Sequence, residues 1–342
     1  MSTVLVAGGA GYVGSHTVKA LAEAAYDVVV YDNLRAGHRE AVDRLVAAFP
    51  ERRITFVQGD ILDGTRVRET LETTGASAVL HFAALLSVVG SVHDPFAYYR
   101  NNVVGTMTVL EAMAAAGVKH FVFSSTCATF GEPRTPALDE SHPQHPINAY
   151  GETKLAVERA LPHLETATGI RSVALRYFNA SGADPDGLIG EDHRPEEHLI
   201  PRAIAAARGG EGLAIFGDDY PTHDGTCVRD YVHVCDLAAA HVAALRRLEA
   251  GGPSGRFNLG SGTGMTVRQI LDAVGRVVGR PVPHTIGPRR AGDPARLVAS
   301  SGLAARELQW TPRFGLDAIV QTAWAWHTAH PDGYGGAKPV DS

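Results

Sequence analysis

The sequence predicts an α/β fold: a doubly wound parallel sheet followed by a smaller C-terminal α/β lobe. Three observations predict it. Short β-branched runs alternate with helical stretches through the first half of the chain. Those runs are continuously apolar rather than alternating, as strands covered on both faces are. Beyond about Asn179 the alternation stops, and Pro and Gly become frequent through Ala180–Thr226.

In chain order, Val4–Ala7 reads as a strand and Ser15–Ala25 as a helix. Val28–Tyr31 pairs in the same way with Glu40–Phe49, Ile54–Gln58 with Gly64–Thr73, and Ala78–Phe82 with one long helix, Pro95–Ala116. A strand at Phe121–Ser124 and a helical stretch at Tyr150–Leu161 follow. Helical patterns return at Asp236–Leu248 and Thr266–Val278, and the tail from Pro331 reads as irregular. We therefore expect a first domain over 1–179 and a second lobe over 180–342. Parts of about 228–263, including the strand-like Gly255–Leu259, are expected to return to the first domain.

With 342 residues, 45% of them apolar and 20% charged, the chain has the composition of a folded globule and is too long for a single small module. A formal charge of −6 without a basic stripe argues against nucleic acid as a partner. The most apolar window, Ala78–Val92, is shorter than the ~20 residues of a membrane span, and no targeting segment is read at the start. Cys127, Cys227 and Cys235 lie in no metal-ligand spacing, and an odd count suggests free thiols and a cytoplasmic protein. Sixteen histidines are dispersed; His142/His145 and His327/His330 lack companion ligands, so no metal site is expected.

After the first strand come Gly8, Gly11 and Gly14, and then a helix. Glycines at this spacing allow a tight turn and let a helix N-terminus approach a pyrophosphate, the pattern of a Rossmann-type dinucleotide site. Asp32, 18 residues past Gly14 at the end of the second strand, would accept hydrogen bonds from a ribose and repel a 2′-phosphate. That favours NAD over NADP, with Arg35 nearby as the opposing feature.

Tyr150 and Lys154 stand four apart and share a helix face. An ammonium beside a phenol favours phenolate, as a base for alcohol oxidation requires. Phe123-Ser124-Ser125-Thr126 ends a strand in hydroxyls, and Thr126 is the group expected to orient an alcohol.

Together the Gly fingerprint, Asp32, Thr126 and the Tyr150/Lys154 pair resemble the extended short-chain dehydrogenase/reductase family. The runs GGAGYVGSHT, YDNL, HFAA, NNVVGT, FSST, NAYGETK, RYFNASGA, VRDYVHV, FNLGSG and RRAGDPA occur in the order found in its UDP-glucose 4-epimerase branch, from residue 4 to about 330. The resemblance implies NAD contacts from Gly8, Gly11, Tyr12, Val13, Gly14, Asp32, Asn33, Asp60, Ile61, Phe82, Ala83, Ala84, Asn101, Thr126, Tyr150, Lys154 and Phe178. It implies UDP-sugar contacts from Asn179, His198, Leu199, Phe216, Arg229, Tyr231, Arg290, Asp293 and Leu297. Leu86 stands where the family often has a lysine, and His198 where it often has an asparagine. Leu297 replaces a restricting tyrosine, which implies some activity on UDP-N-acetyl sugars.

The same resemblance implies interconversion of UDP-galactose and UDP-glucose through a 4-keto sugar. Thr126, Tyr150 and Lys154 would be catalytic, and NAD tightly held. Dehydratase relatives carry carboxylic acids just after the threonine, where this chain has Cys127-Ala128. A homodimer is expected through the helices Pro95–Ala116 and Tyr150–Glu165.

Overall fold

The computed structural model describes residues 2–290 and 293–335. The first half runs β1 (Thr3–Ala7), α1 (Tyr12–Glu23), β2 (Asp27–Asp32), α2 (Arg39–Ala48), β3 (Ile54–Gln58), α3 (Gly64–Thr74) and β4 (Ala76–His81). It continues with α4 (Val88–His93), α5 (Pro95–Tyr98), α6 (Gly105–Ala115), β5 (His120–Thr126), α7 (Ala149–Thr168) and β6 (Arg171–Tyr177). The remainder runs β7 (Asn179–Ser181), α8 (Leu199–Ala207), β8 (Leu213–Phe216), β9 (Val228–Arg229), β10 (Tyr231–His233), α9 (Val234–Glu249) and β11 (Gly255–Leu259). Then come β12 (Met265–Thr266), α10 (Val267–Val278), β13 (His284–Gly287), β14 (Arg296–Leu297), α11 (Gly302–Glu307) and α12 (Leu316–Ala329).

Seven strands form one parallel sheet in the order β11-β6-β5-β4-β1-β2-β3. This is the doubly wound arrangement expected from the apolar runs. Side chains alternate across it. Val4, Val6, Val28, Val30, Leu80 and Val122 face a core closed by α1 and α9. Leu5, Ala7, Val29, Val79, Phe121 and Phe123 face a second core closed by α3, α6 and α7. The strand order reverses between β1 and β4, so the crevice at their carboxyl ends is where such sheets bind ligands.

The stretch 95–116 is not one continuous α-helix. The α5 turn passes into a π-helical segment, Tyr99–Val104, and only then into α6. Helix α7 extends beyond the expected stretch at both ends because its stops are strong: Asn148 accepts from Gly151 N–H at 2.8 Å, and Gly169 turns left-handed at φ 71°.

Short strands serve the second half: β8 with β13, β7 with β10, and β12-β9-β14. A third core holds Ile200, Ile204, Ile270, Val274, Ile319 and Val320 from α8, α10 and α12. Strand β11 and helix α9 belong to the large sheet and its core. Buried carboxylates hold these parts together. Asp230 accepts from the backbone of Ser261, Gly262 and Ala299 at 2.7–3.1 Å. Asp236, in the first turn of α9, accepts from Arg313 N–H and Phe314 N–H at 2.9 and 3.1 Å.

Candidate active site

The dinucleotide crevice begins with steric facts. A Cβ on Gly8 would lie 2.5 Å from Ala83 N across the switch point, and one on Gly14 would lie 2.1 Å from Gly8 O. The loop, β4 and the start of α1 close up only because both positions lack side chains. Gly11, the N-cap, differs: its Cβ would meet only Gly8 O, at 3.4 Å, and no side chain caps the helix there. An open face with free N–H groups at a helix N-terminus fits a pyrophosphate. Asp32 braces this loop, accepting from Ala10 N–H at 3.0 Å and Leu34 N–H at 2.8 Å.

Around it, Asn33 donates to the Asp60 carboxylate at 3.0 Å and its Oδ1 accepts from Arg35 N–H. Ile61 is buried under α6. Phe82 and Ala83 follow β4, their N–H groups both bonded to Ala7 O, with Ala84 next in the chain. Asn101 donates to Asn102, and it is the buried Asn102 that latches Leu85 by its N–H and carbonyl. Leu86 is exposed. Tyr12 donates to the Gly182 carbonyl at 2.6 Å, and Val13 packs on the first core. The crevice thus offers an open helix N-terminus and a braced carboxylate that fit NAD.

At the end of β5, the Thr126 hydroxyl accepts from Ala128 N–H at 3.1 Å and lies close enough to the Tyr150 phenol to favour its ionised form. Burial pushes the Tyr150 phenol well above its ordinary value; the neighbouring Tyr177 adds to this, and Thr126 opposes it. Lys154 donates to the Ser124 carbonyl at 2.8 Å and lies over the Phe123 ring at 4.9 Å. Burial pushes Lys154 down to about 7, against the attraction of Glu158. In the protein by itself, desolvation is the largest influence on both groups.

Glu158, one turn beyond Lys154, was missed by sequence reasoning although its i, i+4 spacing was available. It is buried and paired with Arg176, whose Nε lies 2.9 and 3.1 Å from its two oxygens, and it accepts from Ser125 Oγ at 2.5 Å. It fastens α7 to β5 and β6 behind the catalytic candidates. Cys127 is held inert, its thiol pushed up to about 12 by burial.

Of the substrate contacts expected from the sequence, Leu297 is tied to this end of the sheet. Phe178, Cys127, Phe130, Leu138 and Ala299 form a small apolar cluster with Leu297 against it, which joins the turn after Thr126 to β14. Leu297 pairs in register with Arg229. Arg229 is 3.3 Å from Asp293 and donates to the Pro294 carbonyl at 2.8 Å. Arg290 stacks on the Phe216 ring, its guanidinium carbon 3.8 Å from the centroid. Asn179 pairs with the buried Tyr231. His198 stands at the N-cap position of α8 just before Leu199, and its Nδ1 pairs with Glu191 and Glu196. Its other ring nitrogen is the one that remains for a substrate.

Comparison with known proteins gives the family and the fold. The model of the NAD dependent epimerase/dehydratase family matches residues 4–260. The UDP-glucose 4-epimerase of Lacticaseibacillus casei is 51% identical over 335 residues, covering 97% of this chain and 99% of the relative. Among solved structures, UDP-glucose 4-epimerase from Brucella ovis in complex with NAD superposes with a TM-score of 0.90 at 50% identity, over 95% of this chain and 98% of the other. The enzyme from Stenotrophomonas maltophila, with bound NAD and formylated UDP-arabinopyranose, gives 0.94 at 40% identity, over 97% and 99%.

Proposed function

The chain belongs to the NAD dependent epimerase/dehydratase family, and on that premise we propose that it is an NAD-dependent UDP-glucose 4-epimerase, interconverting UDP-galactose and UDP-glucose through a 4-keto sugar. The observation that carries this reading is the juxtaposition of Thr126, at the end of strand β5 beside the glycine-lined crevice, with Tyr150, in the first turn of α7. Bound NAD supplies the hydride acceptor and donor, so the reaction has no net redox. Tyr150 takes the 4′-hydroxyl proton and later returns it, while Thr126 shares the hydrogen bond. Lys154 supports the phenolate electrostatically.

Two arginines suit a diphosphate. Arg229 and Arg290 anchor that half of the substrate, Phe216 packs on the uracil, and Asn179, His198, Leu199, Tyr231 and Asp293 complete the contacts. Anchoring only the nucleotide leaves the keto sugar free to turn and present its other face. A dehydratase would need an acid after Thr126, and the inert Cys127 with Ala128 provides none. Leu297 in the sugar wall leaves more room than a tyrosine, which supports turnover of UDP-N-acetyl sugars as well.

Exposed Val88, Val89, Val92, Phe96 and Tyr99 gather on one short stretch of chain, and Phe96 is 84% exposed. Such an apolar patch supports a homodimer through this edge of α4–α6 and the adjoining α7. The three free cysteines support a cytoplasmic location, and among the described residues no helix is long and apolar enough to cross a membrane.

The test is conversion of UDP-galactose to UDP-glucose by purified protein without added cofactor, followed by chromatography of the sugars. Turnover is expected. No conversion by protein saturated with NAD at neutral pH overturns the assignment.

A further inference from the structure

Between β7 and α8 four side chains of one loop converge, and only His198 among them is also a proposed substrate contact. Glu191, His193, Glu196 and His198 each offer one ligand atom, and these atoms all lie within 4.8 Å of one another. Glu191 Oε1 is 3.1 Å from His193 Nδ1 and 2.9 Å from His198 Nδ1. Glu196 brings Oε2 to 3.6 Å from His193 Nδ1 and Oε1 to 2.8 Å from His198 Nδ1.

Ion pairs tie the four together but leave two buried atoms of the arrangement without a hydrogen bond. Glu191 is only 3% exposed, yet its Oε1 has no hydrogen-bond partner, and the shielded His193 Nδ1 has none either. The two atoms lie 3.1 Å apart without hydrogen-bond geometry, among four donors within 4.8 Å of one another, although buried polar atoms are ordinarily satisfied. Ligand bonds of about 2.0–2.1 Å at tetrahedral angles place neighbouring donors about 3.3 Å apart, within the spread of separations found here. Two carboxylates also balance a divalent charge while the imidazoles bind neutral.

We propose that Glu191, His193, Glu196 and His198 bind a zinc ion. Four protein ligands fill a tetrahedral shell and leave no open position, which makes the site structural. Its surroundings define what it would hold. The His193 ring meets Tyr12, at the start of α1, edge-on at 6.0 Å. His198 begins α8, and the Glu191 carbonyl accepts from Trp326 Nε1 of α12 at 2.9 Å. The ion would fasten the loop to all three helices and fix the backbone that presents Leu199.

The experiment is metal analysis of protein grown with added zinc and purified without chelator or polyhistidine tag. About one zinc per chain is expected in the wild type. At least a tenfold lower content is expected in His193→Ala and in Glu196→Gln, with folding checked by circular dichroism. Glu196→Gln keeps the side-chain shape and carries the comparison if His193→Ala does not fold. Cobalt added to chelator-stripped wild type should give the intense visible bands of a tetrahedral site, lost in Glu196→Gln. A zinc-free wild type that also gives no such bands overturns the proposal, as does equal zinc content in wild type and variants.

Discussion

Lys154 Nζ donates to the Ser124 carbonyl at 2.8 Å, so the cation of α7 is tied to backbone at the end of β5 inside a closed core. Its folded pKa near 7 lies below the ordinary 10.5. Between those values the unfolded chain binds more protons than the native one, so this residue makes stability rise with pH. In cofactor-free protein, Lys154→Met should therefore melt higher than wild type near neutral pH, and the gain should shrink towards pH ~10. Thermal melts across that range check it; a gain that does not change with pH places the titration elsewhere.

Tyr150→Phe removes the proton carrier while leaving the ring. Turnover should fall by roughly 10²–10⁴, with UDP affinity nearly unchanged. Steady-state rates and calorimetric binding of UDP separate the two, and near-wild-type rates would assign the proton to another group.

The Tyr150 phenol is held high by burial in the protein alone. Oxidised NAD brings a positive ring, and an opposite charge favours phenolate. Ultraviolet difference titration should show Tyr150 ionising at lower pH with NAD bound than without it, a signal absent from Tyr150→Phe. Coincident curves with and without cofactor would contradict this.

Gly14→Ala and Gly11→Ala should part company. The first sets a Cβ 2.1 Å from a backbone oxygen and should cost about 1–3 kcal/mol of stability, whereas the second meets only one atom, at 3.4 Å. Gly11→Ala should fold normally yet bind NAD less tightly, because its methyl covers the open face. Melting and NAD titration of both variants decide it; equal melting points would show that the loop shifts to make room.

Leu297 lies against the cluster beside Thr126. Leu297→Tyr should lower kcat/KM on UDP-N-acetylglucosamine relative to UDP-glucose by about tenfold or more, the scale of one pocket contact. An unchanged ratio would show that another residue sets the sugar preference.

The glycine spacing, Asp32, the i, i+4 pair and the hydroxyl-ended strand were legible because each is a local rule of backbone sterics or helix geometry. The break in 95–116 was not, because the residues Tyr99–Val104 are compatible with an ordinary α-helix and only packing selects the wider turn. Glu158 was legible in spacing but not in consequence, since its partner Arg176 is on a separate strand. Glu191, His193, Glu196 and His198 stand within eight residues, yet nothing in a loop sequence says that four side chains will turn to one centre.

By itself, then, the sequence determined the parallel sheet and the residues at its mouth, because continuous apolar runs, turn glycines and helix periodicity act over a few residues. Only the tertiary structure decided the rest. It packed Leu297 against the cluster that holds Cys127 and enclosed Lys154 and Tyr150 enough that desolvation is the largest influence on both. Those outcomes depend on which surfaces meet across the chain, and the energy of an ionisable group is set by everything that excludes water from it.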